Sequence, residues 1–382
     1  MRPKLRELAI EAVDDGYAVS DPHGLSPHTL WLSQPAMFLA SLLDGSRTLA
    51  ELQVHLHSAH AARVAMEALE ELVQGLETAG FLESPETAER MRAIEAAYLA
   101  QPARPMPLAG ACYPAAEADF RDWVDLCRGV APPWPPAAPL RGLVMPHLDP
   151  RRVPGLYGAA IEALAQTPPP ARVLVVGVAH SAIREDAAAL PLAQATPLGT
   201  VPVDTEALDA LAARLPFPLY NSPLAFREEH SIEFPIAFLK AAWPQANVSV
   251  LPLVLRGNDD AEAIGAIAVA IADLQAEYPF LPVASVDLSH VGARFDDPPL
   301  GRDMAQETQA IDRGYLDRLA AGDFDRAFRD VTEAGNPTRI DATASVQALS
   351  RVLVGTGTVL AYELSAELES LSAVGAGVVA YR

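Results

Sequence analysis

The pattern of apolar and polar positions changes character along this chain, and the change falls near Leu140. Over residues 1–95, two short strand-type runs, "GYAVSD" and "HTLWLS", precede stretches in which apolar residues recur at helical spacing, "LLDGSRTLAEL" and "LVQGLETAGFLES". The step "DGSRT" reads as a helix stop, a turn and a fresh N-cap. Thr48 caps a helix with Glu51 at its third position, so that each side chain satisfies a backbone N–H the helix leaves free. These signals predict a small α+β unit of strands followed by helices, winged-helix-like in outline. Over residues 96–140 proline becomes frequent, in "QPARPMP" and "APPWPPAAP", and its fixed φ favours extended backbone, so a linker and wrapping segment is expected there.

From 141 to 382 the pattern is one of alternation. Near-continuous apolar runs, "LRGLVMPH", "ARVLVVGVAH", "NVSVLPLVL" and "FLPVASVDLSH", are separated by helix-patterned stretches such as "PGLYGAAIEALAQ", "DTEALDALAARL", "EEHSIEFPIAFLKAAW" and "DDAEAIGAIAVAIADLQ". Two further strand-type runs, "GTVLAYELS" and "AVGAGVVAYR", close the chain. Strands that are apolar on both faces need cover on both faces, which predicts an α/β domain with a central sheet between helices.

Composition narrows the functional classes. A length of 382 residues exceeds what a single core usually accommodates, and a hydrophobic content of 50% supplies ample core, so two folded domains are expected. The formal net charge of −21 opposes phosphate backbones and anionic lipid surfaces, and neither nucleic acid nor a membrane is an expected partner. The winged-helix-like outline of residues 1–100 does not alter this, because that stretch holds 7 Lys and Arg against 15 Asp and Glu. The two cysteines, Cys112 and Cys127, form no CxxC pair and read as buried free thiols. With no secretory h-region and no apolar run of about 18 residues, a soluble cytoplasmic protein is expected. Phosphate-loop, GxSxG and HExxH signatures are absent from the sequence.

The candidate chemistry lies in the histidines. Of nine, five fall in the first 60 residues. His55, His57 and His60 in "HLHSAH" have no cysteine or carboxylate nearby to close a coordination shell, and read as a solvated helix end. The other four are His147, His180, His230 and His290. Three of these follow apolar runs: His147 in "LVMPHLDP", His180 in "VVGVAHS" and His290 in "VASVDLSHVG". Strand carboxyl ends converge on the ligand crevice of an α/β sheet, so these three are expected on one rim. His230 opens a helix beside carboxylates in "REEHSIE", where Glu228 reads as part of a solvated helix start favoured by the macrodipole, while Glu229 and Glu233 stay open between that and a functional role. Taken singly, each histidine reads as a hydrogen-bonded structural residue; four at equivalent places point to a shared polar site. Two imidazoles and a carboxylate suit Fe(II), whereas three nitrogen or sulfur ligands suit zinc or copper, and spacing leaves the third ligand open.

In order along the chain, "AGACYPA", "PHLDP", "VGVAHS", "TPLGTVPVD", "EEHSIE", "SVDLSHVG" and "LSAVGAGVVAYR" resemble the motifs of the Memo-like family, over residues 105–382. That family is similar in fold to class III extradiol dioxygenases, which use non-haem Fe(II). The resemblance implies metal ligation by His147 and His180, with His230, His290 and Asp287 in acid/base or imidazole-orienting roles. Where Memo proteins carry a cysteine in an "ICG" step, this chain has "RIDATAS", so the third ligand falls on Asp341. A hard carboxylate in place of a thiolate favours Fe(II) over copper, with copper or zinc as the alternative ions. The N-terminal unit is similar to PqqD-like peptide-recognition domains, which hold a leader peptide by β-augmentation. Together these imply a dioxygenase-like oxidoreductase acting on a small-molecule or peptide substrate, with a peptide or protein partner at the N-terminal domain. The alternatives are a non-catalytic scaffold with a metal site and a metal-dependent hydrolase.

Overall fold

The computed structural model describes residues 2–22, 25–60, 62–133, 138–257, 260–341 and 343–382. His23 and residues 134–137, the middle of the second proline cluster, lie outside the described residues. The chain forms two compact units, residues 1–100 and 101–382.

The first unit begins with strands β1 (Ala9–Val13), β2 (Gly16–Ser20) and β3 (Leu30–Leu32), paired antiparallel in that order. The reading of two strands missed β1. Its sequence "AIEAV" is mostly exposed and carries no alternation to mark it. Helices α1 (Gln34–Ser41), α2 (Leu49–His60), α3 (Met66–Thr78) and α4 (Pro85–Leu99) follow. The capping box forms at the start of α2: Thr48 N–H donates to Glu51 Oε2 at 2.8 Å and Glu51 N–H donates to Thr48 Oγ1 at 3.3 Å. Leu52, Leu56, Leu69, Leu76 and Phe81 make the core of this unit.

The second unit opens with helix α5 (Glu117–Val130), inside the stretch expected to be extended. The prolines explain the difference. They cluster at 102–114 and 132–139, leaving residues 115–131 free to coil and to bury Phe120, Val124 and Cys127 along one face. Phe120 meets Phe238 and Tyr113 with ring centroids 5.8 and 5.6 Å apart. Then come β4 (Gly142–Met145), α6 (Pro154–Ala165), β5 (Arg172–Val178), β6 (Ala187–Ala189), α7 (Thr205–Ala212), α8 (His230–Ala242), β7 (Ser249–Leu255), α9 (Ala261–Glu277), β8 (Leu281–Ser285) and β9 (Asp287–Gly292). Helices α10 (Arg302–Ala321), α11 (Phe324–Glu333) and α12 (Thr343–Leu349) precede strands β10 (Gly357–Glu367) and β11 (Ser372–Tyr381).

The eight strands form one mixed sheet in the order β10-β11-β4-β8-β5-β7-β6, with β9 paired to β11 off this path. Its centre, β4-β8-β5-β7, is parallel, and every residue of β4 and β8 is buried, as the continuous apolar runs require. Parallel pairing brings the carboxyl ends of β4, β8 and β5 to one edge. Here the run "FLPVASVDLSH" is not one strand. It breaks at Val286 and restarts as β9, so His290 lies within β9, opposite Val374 of β11, and does not end an apolar strand. Among the described residues no helix is long and apolar enough to cross a membrane.

Candidate metal centre

His147 and His180 each stand two residues beyond a parallel strand, β4 and β5, with β8 between them. Strands two apart lie about 10 Å from each other, a gap that two facing imidazoles close. Their ring centroids are 5.3 Å apart. The first turn of α8 brings His230 to the same point, 3.9 Å from the His180 ring and 5.3 Å from that of His147. One nitrogen of each of the three lies within 4.8 Å of the other two. His230, expected in an acid/base position, therefore lies in the group of three imidazoles that could hold a metal ion, because the helix that it opens starts directly against the end of β5.

Backbone geometry makes that contact close. Gly177 of β5 lies under Ser231, whose Oγ–H donates to the Val178 carbonyl at 2.9 Å. Glu229 then clamps the two elements. Its Oε1 accepts from the Ser231 N–H at 2.9 Å, capping α8, and from His180 Nδ1–H at 2.8 Å, while Oε2 accepts from the His180 backbone N–H at 2.8 Å. On the other flank, Asp287 Oδ1 accepts from the backbone N–H groups of His147 and Leu148 at 3.0 and 2.9 Å, and Ser285 Oγ lies 3.1 Å from His147 Nδ1. Each of these two rings is thus held at Nδ1 with Nε2 turned inward.

Asp341 meets those inward atoms. Its Oδ2 is 3.0 Å from His147 Nε2 and 3.6 Å from His180 Nε2. The loop that delivers it is wound through left-handed backbone at Asn336 and Arg339, with φ of 46° and 56°. Asn336 braces it, its Oδ1 accepting from the Ile340 N–H at 2.7 Å, and Arg339 is anchored on Asp297 at 2.8 and 3.0 Å. His290 fastens the same loop: its backbone N–H donates to Thr338 O at 2.7 Å, and Nδ1–H lies 2.9 and 3.0 Å from the carbonyls of Leu288 and Arg339. An open cleft of about 370 Å³, lined by His180, His290, Phe295, Arg339, Asp341 and Thr343 among others, gives access.

The charges are interlocked. Burial pulls His180 down, but Asp341 and Glu229 outweigh it and carry the imidazole up to about 10. His147 is raised in the same way, burial opposing and Asp287 and Asp341 prevailing. Burial, together with the two neighbouring imidazoles, pushes His230 down to about 3. Asp341 is held well below the carboxylate range, its burial more than offset by His147 and His180. This arrangement fits a metal ion. Three imidazoles and a carboxylate converge, and His147 and His180 have their second nitrogen held by an oxygen from behind, the support that metal-bound histidine requires. Ligand nitrogens around a tetrahedral ion would be about 3.4 Å apart, within reach of small side-chain adjustments of the trio.

Some functional positions escaped the sequence reading. Glu228 is exposed, as expected of a solvated helix start, whereas Glu229 and Glu233, which the sequence left open, are buried. Glu233 pairs with Arg104 at 3.0 Å. A charged residue between Ile232 and Phe234 in an apolar helix was the available signal, since such a residue is buried only with a partner. Ser285 carried no signal at all. Cys112 is half-buried and Cys127 buried; both are free, and neither belongs to the ligand group. His57 and His60 are exposed and His55 is half-buried near the end of α2, where the His60 ring packs edge to face against His55 and Phe38.

Known proteins place the chain. The family model for Memo-like proteins matches residues 104–380. A MEMO1 family protein of Thermus thermophilus is 44% identical over 334 residues, covering 87% of this chain and 98% of its own length. One from Aquifex aeolicus is 28% identical over the full length of both chains, and one from a Thermotoga species is 29% identical over 48% of this chain. The first two alignments extend into residues 1–100, beyond the reach of the family model. The chain belongs to the Memo-like protein family.

Proposed function

We propose that this protein is a metal-dependent redox enzyme, dioxygenase-like in chemistry, with Fe(II) held by His147, His180 and His230 beside Asp341. The observation that carries this reading is the Asp341 carboxylate lying against both inward-facing Nε2 atoms, in a donor set of imidazole and hard oxygen without thiolate. Bound there, Fe(II) would supply one-electron and oxygen chemistry. The open cleft supports a small molecule or the end of a peptide as substrate. His290 lines it with Nδ1–H committed to carbonyls, which leaves Nε2 as the atom able to accept a proton from substrate.

Metal analysis of protein purified without oxygen tests the proposal, together with turnover measured in air and in its absence. Iron at close to one per chain, lost on His180→Ala, and oxygen-dependent turnover are expected. A second reading rests on the trio itself: three imidazoles also form the ligand set of hydrolytic zinc sites, in which a metal-bound water is the nucleophile. That enzyme would turn over equally well without oxygen.

For the N-terminal unit we propose a PqqD-like, winged-helix-like role in holding a peptide along β3. Trp31 on that strand is 71% exposed, and a groove of about 460 Å³ between β3 and α3 is lined by His28, Leu30, Glu71 and Thr78. Trp31→Lys should abolish capture of a peptide partner while leaving the metal content unchanged. Such capture without any turnover would favour a scaffold.

A further inference from the structure

Arg104 and Glu233 form an ion pair with side chains 1% and 2% exposed, NH1 lying 3.0 Å from Oε2. Removing two charges from water makes such a pair a poor way to stabilise a fold, so its partners reveal what it holds. Arg104 Nε–H donates to the carbonyl of Phe226 at 2.5 Å and NH2 donates to the carbonyl of Glu229 at 3.1 Å. Arg104 is itself fixed: its N–H donates to Ala193 O at 2.6 Å and its carbonyl accepts from the Ala195 N–H at 3.0 Å. Glu233 is tied down from the opposite side by the hydroxyl of Tyr113 at 2.7 Å and the N–H of Leu108 at 3.1 Å. The two carbonyls that Arg104 grips bracket the turn leading into α8. From that turn project Glu229, which holds His180 at two atoms, and His230.

We propose that Arg104 is a positioning residue for the metal centre: by gripping the Phe226 and Glu229 carbonyls against Glu233, it fixes the turn that sets His180 and His230 in register. The inference rests on reading the histidine trio as a metal site. Three acceptors in one plane require a guanidinium fork. A lysine ammonium balances the charge of Glu233 but is a point donor, and does not reproduce the grip on both carbonyls.

The test uses the full chain with Co(II) as probe, measuring affinity by chelator competition and coordination by the visible absorption of the bound ion. Arg104→Lys should weaken Co(II) binding about tenfold, the typical effect of disturbing a ligand's support, and should shift the visible bands. Arg172→Lys perturbs another partly buried ion pair, with Asp204, and should change neither. Because Arg104 acts in part through Glu229, the loss should be smaller in a Glu229→Gln background than in the parent. If Arg104→Lys does not fold, Glu233→Asp, which keeps the charge and draws the guanidinium aside, gives the same reading. Wild-type affinity and spectrum in these variants, or losses that add fully to that of Glu229→Gln, would overturn the proposal. Parent protein that takes up no Co(II) would overturn the metal reading and this inference together. Metal binding weakened as expected, beside turnover indifferent to oxygen, would overturn the redox reading alone.

Discussion

Replacing Gly177 with alanine tests the contact on which the centre is built. A Cβ at this position in β5 would lie 2.8 Å from Ser231 Cβ and 3.1 Å from Ser231 O, and nearer still to Ser231 Oγ. Carbon atoms in a packed core sit about 3.5–4.0 Å apart, so β5 and the start of α8 must separate by about 1 Å. Overpacking of this kind costs about 1–3 kcal/mol. The displacement falls between the element that carries His180 and the one that carries His230, and metal–ligand distances tolerate about 0.2 Å. Metal affinity should therefore fall at least about tenfold, an effect out of proportion to the change in metal-free stability. Chelator competition and urea unfolding of the metal-free protein measure the two quantities. The double variant Gly177→Ala, Ser231→Gly removes the clashing Cβ and Oγ and should regain most of the affinity, less a penalty of about 1 kcal/mol for glycine in a helix. Gly177→Ala with unchanged affinity and stability, or no recovery in the double variant, would refute the reasoning.

Asp341→Asn keeps the shape of the side chain and removes its charge, and should weaken metal binding about tenfold or more, read by the same competition assay. Metal loading at pH 7 should release at least one proton per ion, because His180, carried up to about 10, is protonated in the metal-free cluster while a ligating imidazole is neutral; affinity rises with pH until His180 titrates. A weakly buffered titration that shows no acidification speaks against this. His290→Gln should lower turnover and leave the metal content at the parent level, measured by elemental analysis beside the activity assay. Asp204 caps α7 by accepting from the Ala207 N–H at 3.0 Å and pairs with Arg172; burial opposes, but these contacts hold its carboxyl below the usual value. A lowered folded-state pKa gives stability that is present above about pH 4 and lost as pH falls through the folded value, so Asp204→Asn, which keeps the cap and loses the ion pair, should cost about 0.5 kcal/mol at pH 7 and less at pH 3 in urea unfolding.

The architecture of the second unit was largely legible, since its central strands are buried on both faces and their apolar runs carry that burial in the sequence itself. His147 and His180 were legible for a related reason: each follows such a run, and parallel strands deliver their ends to one edge. The segment 96–140 reads as extended because it is rich in proline as a whole, whereas α5 forms in the proline-free stretch between its two clusters. Helices α10 to α12 and the short strand β6 were not anticipated, and β1 was missed, its alanines and glutamates giving no period of two.

What the sequence determined by itself was therefore the kind of fold, the residues that follow its central strands, and the presence of a carboxylate at Asp341. Tertiary structure decided the neighbours. It set the His230 ring against those of His147 and His180, buried Glu229 and Glu233, and paired Arg104 with Glu233 from 129 positions away. The reason is physical: local pattern reports whether a side chain needs burial, whereas the partner of a buried charge is chosen by chain crossings that no local pattern encodes.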